Sequence, residues 1–334
     1  MEMAVVPKSS ELPELIDECK SCISDSIRRN AGDSLLLSGG LDTSIIAHVV
    51  SQERKIKCYT VFFPYGRTPD IYYARSTARK LGLEWKPVKL PVSKLQERVA
   101  DTIRVLKTFD PMEIRNSVAV FHGLSLAHSE GFTKVMTGDA ADELFAGYSF
   151  TFNLEPAEMM RRLRELWQVM HFSSQPMANA LGIAASLPYL DQRVFEFAKR
   201  LRPGRLIGFR RGRKYGKYIL RIAFEGTIGK MHAWRVKTPI EFGSGTTSLT
   251  KYYSEKISDN AFLESKREIR EREGVKIRDK EHLQYYRLFR TVYSPPGETA
   301  TKQFRCPECG ADAREDSTFC TTCGAYPIRT VELS

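Results

Sequence analysis

No apolar run in the 334-residue chain approaches the ~20 residues needed to cross a bilayer. There is no signal-peptide core either, because Glu11, Glu14, Asp17 and Glu18 interrupt the apolar positions of residues 1–30. These two absences predict a cytoplasmic protein with no membrane partner and reduced thiols. Acid is scarce relative to base: 40 Asp and Glu face 51 Lys and Arg, a net charge of +11. That excess suits an anionic ligand such as ATP, and equally RNA, and charge alone does not separate the two. Core-forming residues are not lacking. At 42% hydrophobic and 27% charged, the composition is that of a globular protein with one large or two medium domains.

Also missing is the Gly-Lys-Ser/Thr ending of a Walker A loop, whose lysine reaches the β- and γ-phosphates. In its place stands Ser38-Gly39-Gly40-Leu41-Asp42-Thr43-Ser44, between the apolar run Ser34–Leu37 and Ile45–Val50. This reads as buried strand, glycine turn and helix. The glycines let backbone N–H groups converge on a phosphate, the three hydroxyls add donors, and the helix start favours an anion. Asp42 would repel phosphate unless a cation lay between them, so it reads as a Mg²⁺ ligand. The string resembles the pyrophosphate loop of the PP-loop ATP pyrophosphatases. That resemblance implies that the pyrophosphate end of ATP is held here and the AMP half passes to a substrate oxygen. A nitrogen or sulfur nucleophile then attacks the activated substrate.

The periodicity predicts a helix over Leu12–Ile27, with Cys19 and Cys22 on its apolar face rather than as a metal or redox pair. Strands are expected at Lys57–Phe63, Glu84–Leu90 and Thr133–Thr137, with a helix over Pro69–Leu83. The alternation argues for an α/β fold, a parallel sheet with helices on both faces and the ligand at the carboxyl ends of the strands. The strand at Thr133–Thr137 runs into Gly138-Asp139-Ala140-Ala141-Asp142-Glu143-Leu144-Phe145-Ala146-Gly147-Tyr148, where three acids open a helix. A second acidic strand end beside Ser38–Ser44 fits a shared Mg²⁺ better than dipole complementarity alone.

Gly138–Tyr148 resembles the Gly-Glu-Gly-Ala/Ser-Asp-Glu-x-Phe-Gly-Gly-Tyr signature of the asparagine synthetase synthetase domain. Asp110-Pro111, Arg115-Asn116-Ser117, Pro188–Arg193, Lys217–Arg221 and Arg235-Val236-Lys237 resemble the same family, in the same order. The resemblance implies a PP-loop (adenine nucleotide α-hydrolase-like) fold. It also implies Mg²⁺ ligands at Asp42 and Asp142, and pyrophosphate contacts from Ser38, Gly39, Gly40, Thr43 and Ser44. Leu37, Val61 and Gly138 would lie near the nucleoside, and Lys237 would meet the phosphates. Asp139 becomes the candidate base. The substrates implied are a small-molecule carboxylate and ammonia or an amine. The chain departs from the pattern at Gly138-Asp139-Ala140. It departs again at Ala184 and Ser186, where the family's Gly-Ile-Glu-Ala-Arg-Val-Pro has glutamate and arginine. If those charges line an acceptor pocket, free aspartate is expected to be a poor substrate, unless Arg115 or Arg193 supplies a relocated charge. Position 2 is Glu, and about 33 residues precede the loop strand. A glutaminase domain is therefore not expected, and nitrogen would come from free ammonia, an amine or a separate glutaminase subunit.

Glu255–Arg290 is charged and helical, and Pro295-Pro296-Gly297 reads as the start of a linker. The organisation expected is an ATP-binding domain over 1–295 with a helical C-terminal part, a linker at 296–303 and a zinc ribbon at 304–334. The ribbon reading rests on Cys306-x-x-Cys309-Gly and Cys320-x-x-Cys323-Gly, four thiolates spaced for one tetrahedral Zn²⁺. So short a segment would take its stability from the metal. Two other functions fit these features. One is an RNA-modifying PP-loop enzyme gripping RNA through the ribbon and the basic run Arg200–Lys217. The other is an inactive synthetase-like scaffold, which the intact Ser38–Ser44, Asp142 and Lys237 argue against.

Overall fold

The computed structural model describes residues 11–329, so Glu2 and the last five residues of the expected ribbon lie outside it. The amphipathic α1 (Glu11–Arg29) buries Cys19, Ile23 and Ile27. Cys22 packs beside them, and burial pushes both thiols above their ordinary range, as the helix-face reading expects. The chain then alternates β1 (Ser34–Leu36), α2 (Leu41–Ser51), β2 (Lys57–Phe62), α3 (Pro69–Leu81) and β3 (Glu84–Lys89). Gly82 closes α3 in the left-handed conformation. Helices α4 (Val92–Leu106) and α5 (Pro111–Ser129) lead to β4 (Lys134–Met136). Helices α6 (Ala141–Leu144), α7 (Pro156–Val169) and α8 (Ser174–Ala180) precede β5 (Ala184–Ser186).

The five strands are parallel, in the order β3-β2-β1-β4-β5. Both faces are covered. Leu35 and Cys58 join the core formed with α1, α2 and α3, whereas Tyr59 and Val88 join the one formed with α5 and α8. Successive residues of a strand face opposite ways, which gives the near-continuous apolar runs that mark these strands in the sequence. The strand order reverses between β1 and β4, and at such a switch point the carboxyl ends of the strands open a crevice. Ser38–Ser44 leaves β1 there, and Gly138–Tyr148 leaves β4. The fifth strand, Ala184–Ser186, was not expected, because three residues of Ala-Ala-Ser carry no strand pattern.

Beyond the sheet come α9 (Gln192–Lys199), α10 (Pro203–Leu206), the antiparallel hairpin β6 (Gly208–Arg210) and β7 (Arg213–Tyr215), and α11 (Tyr218–Ile228). Helices α12 (Lys230–Ala233), α13 (Ile240–Ser244), α14 (Leu249–Lys256), α15 (Asp259–Glu273) and α16 (Lys280–Arg290) follow. Pro295 and Pro296 are buried. The four ribbon cysteines share one apolar cluster with Phe109, Ile114, Tyr286 and Phe289 of the main body. No helix among the described residues is long and apolar enough to cross a membrane.

Candidate active site

The Ser38–Ser44 loop is held by its carbonyls from residues far along the chain. Arg235 Nη1 donates to Ser38 O at 3.0 Å, and its Nη2 pairs with Asp70 at 2.5 Å. His232 Nδ1 lies 3.2 Å from Gly39 O, and burial lowers its pKa. Gly39 has φ +67°, and a Cβ there would run into the backbone of Tyr73 and Ala74, so only glycine fits. Ser38 and Thr43 pair their hydroxyls at 3.1 Å, and the Ser44 hydroxyl lies 3.2 Å from that of Thr77. No side chain caps the first turn of α2, so its leading N–H groups stay available to an anion.

Asp42, in the first turn of α2, meets Asp142 of α6 across the switch point, with Lys217 between them. Lys217 Nζ lies 2.6 Å from Asp42 Oδ2 and 2.8 Å from Asp142 Oδ1, with a side chain only 2% exposed. Burial pushes the Asp42 carboxyl up despite Lys217. For Asp142 the lysines outweigh burial and hold the carboxyl below the usual range. The two carboxylates in turn outweigh burial at Lys217 and keep its ammonium charged. Asp42 Oδ1 is buried without a hydrogen-bond partner, and Asp142 Oδ1 faces the Lys217 ammonium. Lys237 stands at the rim, 3.7 Å from Asp142 Oδ2 and over the Tyr148 ring. A Cβ at Gly138 would meet Asp42 and Thr43 at 3.1–3.3 Å, which shows how closely the two loops pack.

Asp139 is held by hydroxyls: Thr137 donates to its Oδ2 at 2.9 Å and Ser174 at 2.5 Å. Burial raises its pKa, with Asp142 and Glu113 adding to the shift. Glu143 accepts from the Tyr148 hydroxyl at 2.5 Å. The Leu37 side chain is buried in the core, its carbonyl accepting from Thr60 at 2.5 Å, and Val61 packs near Gly123 of α5.

The asparagine synthase family model matches residues 23–168 and 153–290. The chain belongs to the asparagine synthase family. It is 27% identical over 271 residues to asparagine synthetase B [glutamine-hydrolyzing] of Escherichia coli, covering 73% of this chain and 48% of that protein. It is 26% identical over 337 residues to a probable asparagine synthetase [glutamine-hydrolyzing] of Dictyostelium discoideum, covering 92% and 60%. A probable asparagine synthetase of Schizosaccharomyces pombe is 28% identical over 274 residues, covering 70% and 48%. The chain thus spans between about half and three fifths of the length of these relatives.

Two positions that depart from the family pattern lie on β5. Ala184 opens β5 at the amino edge of the sheet, opposite Lys134, away from the carboxyl edge where Asp42 and Asp142 lie. Ser186 donates its hydroxyl to Asn30 O at 2.5 Å and is buried there. Arg115 is not a spare charge, because it is bound by Glu241 and, at 2.9 Å, by Glu281; Arg193 is exposed on α9.

The contacts divide the basic run. Of its eight cations, Arg200 pairs with Glu18 and Arg210 with Glu225, Lys214 donates to Phe152 O, and Lys217 is the buried lysine of the acid pair. Sequence reasoning missed Lys217 as a site residue, along with His232, Thr77, Ser174 and Tyr189, whose hydroxyl donates to Asp42 O at 3.1 Å. The signal for Lys217 was its place as the first residue of the family-like segment Lys217–Arg221.

The four cysteines form the metal-ligating group among the described residues, their sulfurs all within 4.8 Å of one another. The Sγ atoms of Cys306 and Cys323 are 3.8 Å apart, and those of Cys309 and Cys320 are 3.7 Å apart. A disulfide would bring them to about 2 Å. A tetrahedron of sulfurs about 2.3 Å from one ion has edges of about 3.8 Å.

Proposed function

We propose that this chain is an ATP-dependent, AMP-forming amide ligase of the asparagine synthetase type. The observation that carries the reading is the Asp42–Lys217–Asp142 cluster, set at the switch point beside a glycine loop and the uncapped start of α2. ATP would place its pyrophosphate on Ser38–Ser44. Asp42 and Asp142 would hold Mg²⁺, Asp42 through the Oδ1 that lacks a hydrogen-bond partner. Two carboxylates completed by substrate phosphates are a common Mg²⁺ donor set. Bound there, the ion would neutralise charge on the leaving pyrophosphate.

A substrate carboxylate oxygen attacks the α-phosphorus and pyrophosphate leaves, giving an acyl-adenylate. Ammonia or an amine then attacks the acyl carbon and AMP departs. Lys237 and Lys217 put positive charge where the pyrophosphate develops negative charge. Asp139, kept basic by its raised pKa, takes the proton the amine gives up. Cys306, Cys309, Cys320 and Cys323 would hold one structural Zn²⁺, to which the sulfur spacing is suited.

Product analysis tests the reading. With ATP, Mg²⁺, ammonium and a panel of carboxylates that includes aspartate, AMP and pyrophosphate should form in equal amounts. ADP and phosphate as products would refute it. Asp42→Asn should lower turnover by about 100-fold or more, since it keeps the shape but removes the charge from the ion's site.

A further inference from the structure

The net charge is not spread over the chain. Residues 151–256 hold 19 Lys and Arg against 8 Asp and Glu, so they carry the whole excess of +11, and the two flanking portions are each balanced. Much of that basic segment is spent on internal pairs, as described above. Arg202, Arg205, Arg211 and Arg213 are among the cations left without an ion-pair partner among the described residues, and all but the half-buried Arg205 are exposed. They lie on α10 and the β6–β7 hairpin. The hairpin turn is Arg211-Gly212, with φ +49° and +75°, a geometry ordinarily given to Asn-Gly. An arginine held in the left-handed region at an exposed tip is a strained residue kept for its side chain.

Two aromatic rings are exposed, one on the hairpin and one on the segment to which the hairpin is tied. Phe209 is 65% exposed, within 5.6 Å of Lys214 Nζ. Phe150 is 63% exposed, stacked on Tyr148 at 5.6 Å. Lys214 ties the hairpin to the segment that carries this second ring, through Phe152 O at 2.7 Å and Asn153 Oδ1 at 3.1 Å. Tyr148 in turn lies beneath Lys237 at the rim of the acid pair. Unpaired arginines alternating with solvent-facing aromatic rings are what a single nucleic-acid strand requires: cations for its phosphates and flat faces for its bases. An acidic protein would use the cations and leave the rings idle.

We propose that the β6–β7 hairpin and the Tyr148–Asn153 segment form a rim that binds single-stranded RNA. That the rim borders an adenylation site rests on the function proposed above, but RNA binding can be measured without ATP. Fluorescence anisotropy of the full chain with a labelled 12-nucleotide oligouridine tests it. Affinity should fall with salt at a log–log slope of about −1.4 to −2.8, as two to four phosphate contacts give. The double change Arg211→Glu and Arg213→Glu should weaken binding at least tenfold. Phe209→Ala should weaken it about fivefold or more, the usual worth of a stacked base. Far-UV circular dichroism and the ATP dissociation constant should be unchanged in both variants. Replacing both arginines by lysine should retain most of the affinity. The proposal is overturned if no RNA binds at 50 mM salt, or if the charge reversal leaves affinity unchanged. It is equally overturned if polyglutamate competes as well as RNA while Phe209→Ala has no effect, which would point to an acidic protein.

Discussion

At the scale of single residues, the candidate base and the glycine-like turns decide most. Ala140 and Ala146 stand where the family signature has glycine, yet both keep the left-handed backbone, at φ +74° and +53°. Each costs about 1–2 kcal/mol relative to glycine, and the surrounding packing sustains it. The turn at Ala140 sets Asp139 among the Thr137 and Ser174 hydroxyls. Because the folded state raises the Asp139 pKa, the fold favours the neutral acid. The contribution of this group to stability is therefore greatest below its unfolded pKa and is lost as pH rises toward the folded value. The amine-dependent rate should rise with pH through a value above the ordinary carboxylate range. Asp139→Asn should flatten that limb and lower kcat, while its amide oxygen still accepts from both hydroxyls. At neutral pH its melting temperature should equal or exceed that of the unaltered protein. A pH–rate profile and a thermal melt check both statements, and an unchanged profile would remove Asp139 from the base role.

Among the elements, the cysteine segment is the one whose packing changes its meaning. Each knuckle closes on itself, with Cys306 N donating to Ala311 O and Cys320 N to Ala325 O. The second knuckle also accepts from the main body: Phe109 N and the Thr108 hydroxyl donate to Thr322 O and Thr321 O, each at 2.8 Å, and Arg278 donates to Cys323 O. These contacts bear on the residues that lead into α5, whose Asp110 caps the helix by accepting from Met112 N. Metal binding here should therefore stabilise more than the ribbon. Elemental analysis should find about one zinc per chain. Changing Cys306 and Cys320 to Ser should abolish it and lower the main thermal transition by about 5 °C or more. Metal retained in that variant would refute the assignment of the ligands.

Over the whole molecule, the helical C-terminal part is joined to the sheet by a buried charge network. Arg115 of α5 meets Glu241 of α13 and Glu281 of α16, and Glu281 also accepts from Thr250 and Tyr285 at 2.7 and 2.8 Å. Glu281 is 1% exposed. Removing the arginine leaves two inward-facing carboxylates uncompensated, which typically costs about 3–5 kcal/mol. Arg115→Ala should lose that much in urea denaturation at pH 7, and part of the loss should be recovered at lower pH as the carboxylates protonate. A loss below about 1 kcal/mol would show that water reaches the pair.

The loop Ser38–Ser44, the acidic turn at Gly138–Tyr148, the parallel α/β class and the four-cysteine metal group were all legible in the sequence. Each is a local pattern in which covalent spacing and backbone freedom dictate the geometry. Lys217 was legible as a family-like and basic residue, but not as the partner of the acid pair. It stands among eight basic residues whose shared property is charge, and it reaches Asp42 across 175 positions of sequence. Burial singled it out, and burial is a property of the packed molecule. The same holds for Arg235 and His232 on the loop carbonyls, for the strand Ala184–Ser186, and for the rim arginines left over once their neighbours had found partners. Local chemistry determined which groups this protein has, and tertiary packing decided which of them meet and which remain free.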